Sequence, residues 1–349
     1  SEKLQLNFNF YTEQDSKDQP LLQDLTDENK LFLSEIGDSI QDAVIPNINL
    51  VAFDENKVLY KMIDSLGYDS VFVYSTNPDS AIYQLGFTYV GENNGNYRQI
   101  QSSANGKVYQ WQIPIAGVPQ GDYEPVILLV TPKQNQMATL GGEYIFNENA
   151  KITWEGAISK NDINTFSDKN SGDDIGYAFK FNSENIVPLK KELENSWKLH
   201  LGSNYEYIQQ NFTPIERFRR VEFERDWNLI NTAINTDQHV VGGTVGMNKK
   251  DKGNINYAFN YLNTLELIEG AKNILNINYK HKGFQLVSNA SFLTTKGINN
   301  SEFLRHKAVL TKQIGWVVLG VGEETEQNKL FVNTSDTLQN SSFEFVILQ

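Results

Sequence analysis

The chain contains no cysteine, which excludes disulfides, zinc–thiolate centres and cysteine nucleophiles. Histidine is scarce as well. Only His200, His239, His281 and His306 are present, and none has a histidine or glutamate partner at zinc-enzyme spacing. Lysine and arginine number 30 against 43 acidic residues, a net charge of −13. That balance opposes sequence-independent nucleic-acid binding, which needs cations to displace counterions. No apolar run approaches the roughly 20 residues of a spanning helix. Gly141-Gly142 and Gly242-Gly243 lack a following helix, so they read as strand or bulge glycines rather than a phosphate cradle. No leader is visible before Leu4–Phe10, which already alternates like a strand, so export would imply that a signal had been removed.

What the chain does have is length, aromatics and alternation. Its 349 residues suit more than one core, and 40% hydrophobic with 21% charged residues describes a folded chain. The 16 Tyr, 20 Phe and 5 Trp favour strands. The sequence predicts an all-β protein in three parts. Residues 1–48 read as an N-terminal strand, a loop and a short helix over 27–36, capped by Thr26 or Asp27 and stopped by Gly37. Residues 49–135 read as a small sandwich-like β domain of short strands, with Asn94-Gly95 and Asn105-Gly106 as hairpin turns. Residues 136–349 read as a long antiparallel up-and-down meander, barrel or barrel-like.

In that last part, segments of about ten residues each carry one apolar and one polar face. Trp154, Phe179, Leu199, Leu201 and Phe259 are expected on a single apolar face, opposed by residues such as Lys198, His200, Glu206, Asn256 and Asn260. The apolar face can pack on a second sheet, turn inward in a soluble barrel, or turn outward in a membrane barrel. Glu216–Asp226 also alternates and reads as a strand of mixed charge. Such a face opposes lipid contact, so cross-strand charge ladders account best for its arginines.

Candidate sites are few. Asp168, Asn170, Asp173 and Asp174 are dense oxygen donors that could hold calcium. Gly172 and Phe179 stand where a calcium-hand loop needs ligands, so the bland alternative is a solvated loop. Carboxylates abound, yet no spacing selects a catalytic pair, and the reading is non-enzymatic. Arg217, Arg219, Tyr205, Tyr207 and Tyr261 are candidates for contact with a protein partner.

The stretches Gly106–Trp111, Gln120–Pro125, Val130–Lys133 and Trp154–Ser167 resemble large envelope proteins of Bacteroidota, in which sandwich-like modules precede barrel-like strands. Within that group the chain resembles the plug components of the type 9 secretion translocon. The resemblance covers about residues 25–230, and its motifs are structural rather than catalytic. It implies a protein of the Gram-negative cell envelope, at the outer membrane or its periplasmic face. Such a protein would dock on or occlude a larger outer-membrane export channel, with no nucleic-acid partner. Two alternatives remain open. One is a free-standing outer-membrane β-barrel. The other is a surface carbohydrate-binding module using Tyr109, Trp111 and Trp154 as sugar platforms.

Overall fold

A computed structural model describes residues 3–17, 23–190, 195–229, 234–265, 267–332 and 337–348. The chain is mostly β, as its alternation and aromatic content require. It divides into two compact units: Ser1–Glu13, Gln134–Asp162 and Gly172–Gln349 in one, and Gln14–Lys133 with Ile163–Ser171 in the other.

The first strand, β1 (Leu4–Gln14), belongs chiefly to the larger unit, so the expected N-terminal region is shared between the two. The smaller unit begins its regular structure with α1 (Asp27–Ile36), at the bounds the sequence predicts. Thr26 and Asn29 close a reciprocal capping box at its start. At its end, Asn164 is fully buried, and its side-chain amide donates to the carbonyls of Leu33 at 2.8 Å and Gly37 at 2.7 Å. These are last-turn carbonyls that would otherwise lack partners. The apolar stripe of α1 packs Leu33 against Ala43 and Leu129.

The short strands follow: β2 (Val44–Pro46), β3 (Ile48–Leu50), β4 (Tyr60–Ser65), β5 (Tyr68–Tyr74), β6 (Tyr83–Leu85), β7 (Thr88–Tyr89), β8 (Tyr97–Ile100), β9 (Val108–Trp111), β10 (Tyr123–Glu124) and β11 (Val126–Leu128). They form a pair, β11-β2, and two four-stranded sheets ordered β3-β6-β4-β5 and β7-β10-β8-β9. Tyr60 and Phe72 from one four-stranded sheet pack with Tyr97 and Tyr109 from the other, giving the sandwich-like core. Asn105-Gly106 lies between the paired strands β8 and β9, as expected. Asn94-Gly95 does not make a hairpin, because β10 inserts between β7 and β8. Gly95 instead exchanges backbone hydrogen bonds with Gly121, and a Cβ on it would strike the Tyr123 backbone.

The larger unit is one sheet of twelve strands. After β1 come β12 (Gln134–Asn147), β13 (Ala150–Asp162), β14 (Ile175–Pro188), β15 (Lys198–Ile208), β16 (Gln238–Lys249), β17 (Gly253–Asn263), β18 (Ile268–His281), β19 (Phe284–Gly297), β20 (Asn299–Ile314), β21 (Val317–Val332) and β22 (Thr337–Leu348). Each pairs antiparallel with its predecessor from β13 onward. β1 lies beside β12, where Asn9 reaches Thr139 and the Ile145 amide donates to the Lys3 carbonyl. The sheet is not closed, so β1 and β22 are its edges.

Register confirms the face assignment. Trp154 lies opposite Phe181, Phe181 opposite Tyr205, Tyr205 opposite Val241, and Val241 opposite Tyr261. Phe179, Leu199, Leu201 and Phe259 stand an even number of residues along those strands, so all five expected residues share this face. Lys198, His200, Glu206, Asn256 and Asn260 share the other.

One expected strand does not form. Residues 216–226 contain no strand; they lie in the β15–β16 connection, with a single helical turn, α2 (Phe223–Asp226), at their end. Their alternation arises in a connection that has no neighbouring strand to pair with.

Candidate functional site on the polar face of the large sheet

The amphipathic sheet is covered on its polar side. Apart from Ser288, the buried residues named from its strands project from the polar face: Thr139, Ser159, Ile208, Val240, Leu262, Ile268, Lys272, Leu293, Thr295, Ser301 and Phe303. The apolar face is bare. Phe179 is 38% exposed, Phe259 41% and Val245 48%, and on β1 Leu6 and Phe8 reach 62% and 66%. A run of uncovered large side chains across neighbouring strands is a patch far beyond the scattered exposure of an ordinary soluble surface.

What covers part of the polar face is the connection between β15 and β16. Its backbone enters against β14, where a Cβ on Gly176 would collide with Phe212, and the Thr213 amide donates to the Ser159 hydroxyl at 3.0 Å. Further along, Trp227 and Leu229 pack on Val240, Leu262, Ile268, Leu293 and Phe303. Gly270 makes room for the indole, since a Cβ there would stand 3.0 Å from the Trp227 ring.

Charge fastens the same segment. Arg219 donates from Nε (2.9 Å) and Nη2 (2.7 Å) to Oε1 of Glu206, and from Nη1 to Gln238 at 2.6 Å. Its guanidinium also lies 4.1 Å from the Phe223 ring centroid. The Asp226 carboxylate takes Lys272 Nζ at 3.0 Å and Arg305 Nη1 at 2.9 Å. Burial alone would raise the Asp226 pKa, but hydrogen bonds and charge from Lys272 and Arg305 outweigh it and hold the carboxyl below its ordinary value. Asn228 and Asn328 exchange amide hydrogen bonds at 3.0 and 3.1 Å.

The residues singled out from sequence fall as follows. Arg219 joins this charged seam, whereas Arg217 donates to the Val221 carbonyl within the connection. Tyr205, Tyr207 and Tyr261 stand on the apolar face. Tyr205 hydrogen-bonds His239 at 3.0 Å, and Tyr207 donates to Asp237 at 2.9 Å. Asp168 and Asn170 belong to the smaller unit, where the Ser171 hydroxyl donates to the Asp168 carbonyl and Asn170 takes a positive φ of 63°. Asp173 and Asp174 open the approach to β14 in the larger unit, the first exposed and the second buried, with the Asp174 carbonyl accepting from the Asn161 amide. Tyr109, proposed as a sugar platform, is a core residue stacked on Phe87 at 4.3 Å. Trp111 meets Tyr68 edge-on at 5.4 Å, and Trp154 is half-buried.

Sequence reasoning missed Asp226, Trp227, Asn228, Lys272 and Arg305 as one cluster. Lys272 and Arg305 had a usable signal, being charges on the face of a strand opposite its apolar one. The connection residues had none, because their partners lie up to 100 positions away in sequence.

No family model matches the chain, and no curated protein or solved structure matches it either. No helix among the described residues is long and apolar enough to cross a membrane; β-barrel proteins cross with strands instead.

Proposed function

We propose that the large sheet is the wall of a non-enzymatic outer-membrane β-barrel, with its apolar face in lipid and its polar face toward a lumen. The single observation that carries this reading is the inversion of burial: tertiary packing lies on the polar face while the apolar face stays bare. In water the sheet would bury that apolar face, since area removed from water stabilises by about 25 cal/mol per Å². In lipid the outward apolar band is the stable arrangement, with polar residues and an infolded connection inside. Strands of 11 to 16 residues are long enough for a tilted crossing, which takes roughly 9–11, with the longer ones extending past it. The mixed-charge residues at 216–226 no longer oppose lipid contact, because they belong to the covering connection.

Lipid also demands that no backbone edge stay unpaired. β1 and β22 are open edges in this structure, so the barrel reading requires them to pair with each other; alternation of direction over the twelve strands makes them antiparallel, as closure of an even meander requires. A second reading has the sheet dock on or occlude a larger export channel of the outer membrane, as a secretion-translocon plug would. The edges of β1 and β22 favour it, because an open edge accepts a partner's strand. Co-purification of a barrel partner in mild detergent separates it from the free-standing barrel.

The membrane reading is tested with single cysteines, which a chain without native cysteine permits directly. A fluorophore at Phe179→Cys or Tyr257→Cys should be quenched by brominated lipids in reconstituted vesicles, and one at Asn182→Cys or Asn256→Cys should not. Equal quenching at both sets, or none at either, overturns the reading.

A further inference from the structure

We infer that residues 211–229 form a displaceable stopper seated on the polar face, so that the lumen proposed above is closed at rest and opens when this segment leaves. The inference rests on the membrane reading and adds a regulated element to it. The seat is built. Gly176 admits the backbone at Phe212, and Gly270 admits the Trp227 indole, so the sheet is relieved at two separate points under one connection. The bare apolar face shows no such accommodation to a covering chain.

The attachment is strong enough to hold and of a kind that can release. The segment adds no strand to the sheet, and its regular structure is the single turn α2. Its apolar anchors that reach full burial are Trp227 and Leu229. Phe223 packs beside them partly buried. The remaining contacts are mostly polar and made by side chains: Arg219 to Glu206 and Gln238, Asp226 to Lys272 and Arg305, Arg225 to Glu326 at 3.8 Å, and Asn228 to Asn328, with one backbone donor, the Thr213 amide to Ser159. Water entering the lumen can replace each of these contacts individually. A paired strand would instead have to give up its ladder cooperatively. The Lys272 ammonium, buried under the segment and 5.9 Å from the Trp227 ring, returns to solvent when the stopper lifts, which offsets part of the cost of opening.

The experiment measures conductance of the full chain in planar bilayers. Asn228→Cys with Asn328→Cys, bridged by a short cleavable thiol-reactive linker, should abolish openings, and cleavage should restore them. Gly270→Ala, which presses a Cβ against the indole, should raise the open fraction severalfold, and Trp227→Ala should do the same. A bridged protein that conducts like the unbridged one overturns the proposal. So does silence of every variant, Trp227→Ala included. Fluorophore quenching at Phe179 and Tyr257 in the same lipid then shows whether the stopper alone has failed or the membrane reading with it.

Discussion

Tyr60 and Tyr97 link side-chain chemistry to the smaller unit's stability. Each buried phenol oxygen accepts a backbone N–H, from Tyr109 and Phe72 respectively, at 3.0 Å. Burial pushes both hydroxyls up to about 12 from an ordinary 10, with the backbone hydrogen bonds opposing it in part. Because the folded value lies above the unfolded one, this stabilisation is complete below pH 10 and is lost as pH rises through about 12. Near-UV circular dichroism along an alkaline titration should show the core failing in that window. Tyr60→Phe should cost about 1–2 kcal/mol in urea unfolding, since it strands a buried amide. Asp226 has the opposite sign. Its lowered pKa gives stability present above the ordinary carboxyl value and lost as pH falls through the folded one. Asp226→Asn should cost about 1–3 kcal/mol and should flatten the acid limb of the stability profile, because it removes charge-assisted bonds and leaves Lys272 buried without its counter-ion.

Among the elements, β14 gives the sharpest test of register. Ile175, Tyr177, Phe179 and Phe181 share the bare face, and Gly176, Ala178, Lys180 and Asn182 the other. A cysteine scan from Ile175 to Asn185 should show lipid contact with period two. Inserting one residue after Phe179 should invert the pattern beyond it or prevent assembly, because every following side chain changes face. A scan without periodicity would refute the amphipathic wall. The helix α1 makes a second element-level case. Thr26→Ala should lower stability by about 1 kcal/mol through loss of its capping box, a change readable by thermal melting.

For the whole molecule, the two units meet their solvents differently. The smaller one closes two apolar clusters of its own, around Tyr60 and around Leu33. The larger one leaves the apolar side of twelve strands open. Removing detergent from the purified full chain should therefore precipitate it through the large sheet. Limited proteolysis should then leave 23–133 more resistant than the strands after 172. A chain that stays monodisperse in plain buffer, with Phe179 and Phe259 still accessible to probes, would count against the lipid-facing wall.

The sequence by itself determined the class and, for the strands that formed in the large sheet, their faces. Alternation follows from the pleat, which sends successive side chains to opposite sides whatever the strand's neighbours are, so Trp154, Phe179 and Leu199 could be placed together in advance. The helix at 27–36 was equally legible, because its start signals lie within a few residues of it. Tertiary structure alone decided what covers each face. Alternation at 216–226 is the same in a strand and in an unpaired connection, and only the absence of a pairing neighbour made it the latter. β1 joined β12 from more than 120 residues away, Asn164 closed a helix lying 127 to 131 residues earlier, and Asp226 found Arg305 across 79 positions. Local pattern carries orientation, whereas coverage depends on which distant segment arrives, and no short window of sequence contains that.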